Sequence, residues 1–66
     1  MDQNKYAEHL AKVFHDTYED LAPSCGYQTR KESAVPWDDV PRSNKVLMIA
    51  VCRELLNKGL IRMPKR

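Results

Sequence analysis

Only two glycines stand among 66 residues, singly at positions 26 and 59. A many-stranded β fold needs turn residues at short intervals, so that architecture is excluded. No apolar run approaches the roughly 20 residues that a membrane-spanning helix requires, and no basic segment leading into an apolar stretch opens the chain as a secretory leader would. The two cysteines, Cys25 and Cys52, lie in no CxxC or Cys/His spacing and give no zinc site. A cytoplasmic protein with free thiols is expected, with a single disulfide left open as the alternative. Catalytic signatures are missing as well: there is no Gly-rich phosphate loop, no nucleophile elbow and no HExxH, and the only histidines are His9 and His15. The expectation is a protein that is not an enzyme, with no metal and no cofactor.

What is present is 42% hydrophobic and 30% charged, too apolar for a disordered chain. One domain spanning 1–66 accommodates it, with 61–66 as a basic tail. Asp2, Glu8, Asp16, Glu19 and Asp20 outnumber Lys5 and Lys12 in the first third, whereas Arg53, Lys58, Arg62, Lys65 and Arg66 face only Glu54 in the last. An acidic helix is followed by a basic end. That tail can attract any polyanion, but it has neither aromatic interleaving nor a helical stripe, and a helix-turn-helix needs a third helix. Nucleic acid is therefore not the expected partner.

From Asn4 to Leu21 the positions Tyr6, Leu10, Phe14, Thr17 and Leu21, flanked by Ala7 and Tyr18, recur at the three- and four-residue spacing of one helix face. Pro23 and Gly26 then stop the helix. A connection running from Ser24 to Pro41 shows no periodicity, and Tyr27, Val35, Trp37 and Val40 within it argue for an ordered, functional loop. A second helix is expected to begin between Asp39 and Ser43, capped by Asp or Ser, and to run to Lys58, with Gly59 closing it and Leu60 folding back. The fold class is all-α: two main amphipathic helices joined by a long ordered loop.

The second helix is apolar on both sides. Leu47, Met48, Val51 and Leu55 form one stripe; Ile49, Cys52 and Leu56 form another nearly opposite. A helix apolar on two sides is normally covered on two sides. With the first helix assigned to one stripe, Ile49, Cys52 and Leu56 are expected to form a homo-oligomer interface, the alternative being that the loop folds over them.

The loop also carries an inventory suited to a nucleotide. Arg30 and Lys31 can hold phosphate oxygens, Thr29 and Ser33 can add hydrogen bonds, and Tyr27 offers a stacking surface. Tyr18 and His15 on the first helix and Lys45 on the second complete the candidate ligand set, and Trp37 is either a core anchor or a further stacking ring. The alternatives are a solvated charged loop and a structural histidine.

The stretch His15, Asp16, Thr17, Tyr18, Glu19, Asp20, Leu21, Ala22, Pro23, then Gly26, Tyr27, Gln28, Thr29, Arg30 and Val35, Pro36, Trp37, Asp38, Asp39, Val40, Pro41, resembles small proteins of phages and prophages. An opening helix, a Gly-aromatic loop, a Pro-Trp element and a helix bearing Asn44, Lys45, Leu47 and Met48 are together similar to the ryanodine-receptor-type domain over roughly residues 8 to 58. This chain is shorter and lacks the usual extra loop residues. The resemblance implies a nucleotide second messenger as the partner, a cyclic nucleotide or an ADP-ribose derivative, sequestered to counteract host antiviral signalling. The second expectation is a small protein-binding inhibitor of a host defence protein.

Overall fold

In the computed structural model, which describes residues 2–32 and 34–64, Asp2 opens the first helix by accepting the Lys5 amide on its carboxylate at 2.8 Å. That contact satisfies one of the amides left without an intrahelical partner at a helix start. Helix α1 spans Gln3–Leu21, and α2 spans Arg42–Asn57. The Gln3 side-chain amide donates to Asn57 Oδ1 at 2.7 Å, placing the start of α1 beside the end of α2, so the helices run antiparallel. Two 3₁₀ turns, Pro23–Cys25 and Trp37–Asp39, bracket the connection between them. The architecture is all-helical, with no strand among the described residues. Ser33 of the candidate ligand loop and Lys65 and Arg66 of the basic tail lie outside the described residues.

The face of α1 that goes inward is the one with the smallest side chains. Ala7 and Ala11 are 0% exposed and His15 is buried behind them, one turn apart each, whereas Phe14 is 57% exposed and Leu21 is also in solvent. Alanines four residues apart let two helix backbones approach closely, and that approach lifts the larger neighbours to the rim. The stripe built on Tyr6, Leu10, Phe14, Thr17 and Leu21 is therefore the shoulder of the contact, with Leu10 alone packed against the core cluster.

The stripe of α2 assigned to an oligomer interface is corrected in the same way. Cys52 is buried in one cluster with Ala7, Ala11, Trp37 and Val40, and Ile49 and Leu56 pack against that cluster. Ala7 and Ala11 of α1 and Trp37 and Val40 of the loop share that cluster, so the chain itself buries part of the side that sequence periodicity left for a second copy. The reason is geometric: Pro36 and Pro41 bracket the 3₁₀ turn, whose fixed dihedrals aim both large side chains back at the helix pair. The opposite stripe stays open, with Leu47 64% and Val51 50% exposed.

Neither end of α2 follows the expected chemistry in full. Pro41 occupies the N-cap, no side chain caps the helix, and Asp39 belongs to the preceding 3₁₀ turn. At the other end Gly59 adopts φ 75°, a left-handed conformation that costs an L-residue side-chain crowding, and its amide bonds the Leu56 carbonyl. Leu60 also bonds back, to the Leu55 carbonyl at 3.1 Å, yet its side chain is exposed. Ile61, half-buried, lines the same apolar trough as Leu55 instead.

Candidate functional site

The last turns of α1 and the first half of the loop enclose a cleft of about 240 Å³. Tyr18, Tyr27, Thr29 and Arg30 all line it, with Glu19 at one wall and Phe14, Asn44 and Met48 closing it towards α2. The cleft forms because Gly26, at φ 73°, turns the chain back along α1. The Tyr27 amide then bonds the Ala22 carbonyl at 2.9 Å and fixes where the loop departs.

Aromatic rings make one wall. Phe14 and Tyr18, four residues apart on α1, lie 6.0 Å centroid to centroid and nearly parallel at 26°. Tyr27 meets Tyr18 edge to face at 6.1 Å and 85°, an arrangement favoured by the opposed charge of ring edge and ring face. Partial desolvation, a hydrogen bond with the Tyr27 hydroxyl and the nearby Glu19 charge together push the Tyr18 hydroxyl above the ordinary phenol range. Tyr18 therefore stays a neutral donor at physiological pH.

The polar wall departs from the sequence expectation at two points. Thr29 Oγ1 donates to Glu19 Oε1 at 2.8 Å, so its proton is already committed to a carboxylate. His15 is buried, and its Nε2 donates to the Val35 carbonyl at 2.7 Å while its ring stands 5.9 Å from that of Trp37. A carbonyl can only accept, so Nε2 carries the proton. His15 is a pin between helix and loop, the structural alternative, and its Nε2 has no proton to offer a phosphate. Arg30 is exposed and has no ion-pair partner among the described residues.

The remaining candidates scatter. Lys31 lines an adjoining groove with Gln28 and Pro23, which shares Glu19, Tyr27 and Thr29 with the cleft. Trp37 is buried in the core, which decides between its two readings. Lys45 stands over the Trp37 ring, Nζ 5.4 Å from its centroid, and donates to the Asp38 carbonyl at 3.2 Å, outside the cleft. Glu19 is the residue that sequence reasoning missed. Its position four residues after His15 and one after Tyr18 was the available signal, because that puts it on the helix edge nearest the loop.

Among the described residues no three His, Cys, Asp or Glu side chains come together as a metal-holding group. No helix of the described residues is long and apolar enough to cross a membrane. No family model, no curated protein and no solved structure matches the chain.

Proposed function

We propose that this chain is a non-catalytic, homo-oligomeric binding protein of phage or prophage type whose cleft takes a nucleotide-type ligand and sequesters it. The observation that supports this reading is the convergence of Tyr18, Tyr27 and Arg30 on one cleft, although they come from a helix and a loop. Arg30 supplies a planar, permanently charged fork for phosphate oxygens, and the tyrosine pair supplies an aromatic surface for a base. Glu19 sets a further requirement. A carboxylate in the same cleft repels a second phosphate and accepts hydrogen bonds from hydroxyls, so a ligand with one phosphate near Arg30 and a ribose edge near Glu19 fits better than a polyphosphate. The resemblance to the ryanodine-receptor-type domain extends the reading to an immune messenger, a cyclic nucleotide or an ADP-ribose derivative. Removal by mass action needs no catalysis.

Isothermal titration of the protein with a panel of cyclic mononucleotides, cyclic dinucleotides and ADP-ribose tests the reading. Binding that weakens about tenfold or more in Arg30→Ala, the loss of one charge-assisted contact, supports it. A panel without a single binder, or affinities unchanged by the substitution, removes the cleft from consideration. A second reading, docking on a host defence protein, is favoured by one observation: the open stripe of α2.

A further inference from the structure

Glu19, Tyr27 and Thr29 line both the cleft and an adjoining groove of about 730 Å³, so they form the wall that the two hollows share. That wall is fastened: Thr29 Oγ1 donates to Glu19 Oε1 at 2.8 Å and ties the loop to α1. Arg30 lines the cleft and not the groove, whereas Lys31, the next residue, lines the groove and not the cleft. Consecutive residues thus put one cation in each hollow, and neither has an ion-pair partner among the described residues. Given the cleft as a nucleotide site, the reading on which this rests, we infer that cleft and groove are two halves of one site for a dinucleotide. A ribose lies over the Glu19–Thr29 wall, with the phosphate on one side of it held by Arg30 and the phosphate on the other side held by Lys31.

Size is the first observation. The cleft alone, about 240 Å³, falls short of the roughly 300–1,000 Å³ of small-molecule sites, and the groove supplies the missing room. Charge is the second. Two cations separated by a carboxylate match two anions separated by a neutral hydrogen-bond donor. A diphosphate seated on Arg30 would bring its second anionic group against Glu19, where like charges repel. A chain linked through phosphodiesters instead interposes a ribose between successive phosphates. Thr29 occupies Oε1 of Glu19, and the second oxygen of a carboxylate can accept from a ribose hydroxyl. Tyr27, 56% exposed and bordering both hollows, offers a base an aromatic surface on either side.

These features separate the members of the nucleotide class. A cyclic mononucleotide has one phosphate and leaves Lys31 unused. ADP-ribose carries two phosphates joined through a single oxygen, with no ribose between them. A cyclic dinucleotide has a ribose between its phosphates on both sides of the ring, which is the order that Arg30, Glu19 and Lys31 present.

Isothermal titration with cyclic di-AMP, cyclic di-GMP, cyclic AMP, cyclic GMP and ADP-ribose tests this on the wild type, Arg30→Ala and Lys31→Ala, whose substituted side chains are exposed. A dinucleotide is expected to bind about tenfold or more tighter than the mononucleotide of the same base and than ADP-ribose, the gain from one further charge-assisted contact. Lys31→Ala is expected to remove that gain and leave mononucleotide affinity unchanged, whereas Arg30→Ala weakens both. A mononucleotide held through Arg30, with no gain from a second phosphate or no effect of Lys31→Ala on any ligand, overturns the inference and leaves the cleft as a site for one nucleotide. ADP-ribose as the tightest ligand overturns it as well. A wild type that binds nothing in the panel overturns the inference together with the reading on which it rests.

Discussion

His15 on α1 and Val35 in the loop are joined by a hydrogen bond of 2.7 Å from the imidazole Nε2 to the backbone carbonyl, across 20 residues of sequence. This contact holds the returning half of the loop against α1, and with it Trp37 and Val40, which share a buried cluster with Ala7, Ala11 and Cys52.

Replacing His15 by Ala leaves the Val35 carbonyl without its donor and opens space beside Trp37. Loss of a buried hydrogen-bond partner costs about 1–3 kcal/mol. Urea unfolding followed by Trp37 fluorescence is expected to shift its midpoint down accordingly; an unmoved midpoint would mean that the pin contributes nothing.

The helix contact through Ala7 and Ala11 makes a prediction of opposite chemistry. Ala11→Leu adds bulk where the site is 0% exposed, and overpacking of this kind costs about 1–3 kcal/mol. On the sequence reading, in which larger residues line the contact, the same change would be mild. Thermal unfolding distinguishes them.

The helices, their order and the ordered loop were legible in the sequence because apolar period, Pro and Gly each report on backbone geometry locally. Which stripe faces inward was not. Ala7 and Ala11 rank low on any scale of apolar bulk, so periodicity weighted Leu10, Phe14 and Leu21 instead, although close approach rewards small side chains. The same error carried to α2, where Ile49, Cys52 and Leu56 were given to a second copy: nothing in their spacing records that they pack with Ala7 and Ala11 of α1 and with Trp37 and Val40 of the loop. Of the residues lining the candidate cleft, His15, Tyr18, Tyr27, Thr29 and Arg30 were named from the sequence by chemical type. Lys45 was misplaced because a cation and an indole can pair with each other as readily as with a ligand, whereas Trp37 takes the first of its two readings, the core anchor.

The two thiols differ in environment and are expected to differ in reactivity. Cys25 is exposed and Cys52 buried, both free. A disulfide-exchange reagent at neutral pH should modify one thiol rapidly and the second only at the rate of unfolding. Burial pushes the Cys52 thiol up from its ordinary value of 9.0. Above that pH the unfolded chain gives up a proton that the folded chain retains, so this group's contribution to stability is complete below pH 9.0 and declines as pH rises beyond it. The unfolding midpoint of a Cys25→Ser chain is expected to fall more steeply above that pH than the midpoint of Cys25→Ser/Cys52→Ala.

Trp37 belongs to the core rather than to the ligand, and Trp37→Phe separates the two roles. The variant is expected to unfold at lower denaturant concentration while binding nucleotide with unchanged affinity. Reduced affinity in a variant shown to be folded would return the indole to the site.

The central claim, a cleft that holds a nucleotide through Arg30, is tested most directly by native mass spectrometry of the wild type and Arg30→Ala, each incubated with the same mixture of cyclic nucleotides and ADP-ribose. The account predicts one nucleotide mass retained per chain in the wild type and a bare Arg30→Ala protein. Nucleotide retained equally by both, or by neither, would contradict it.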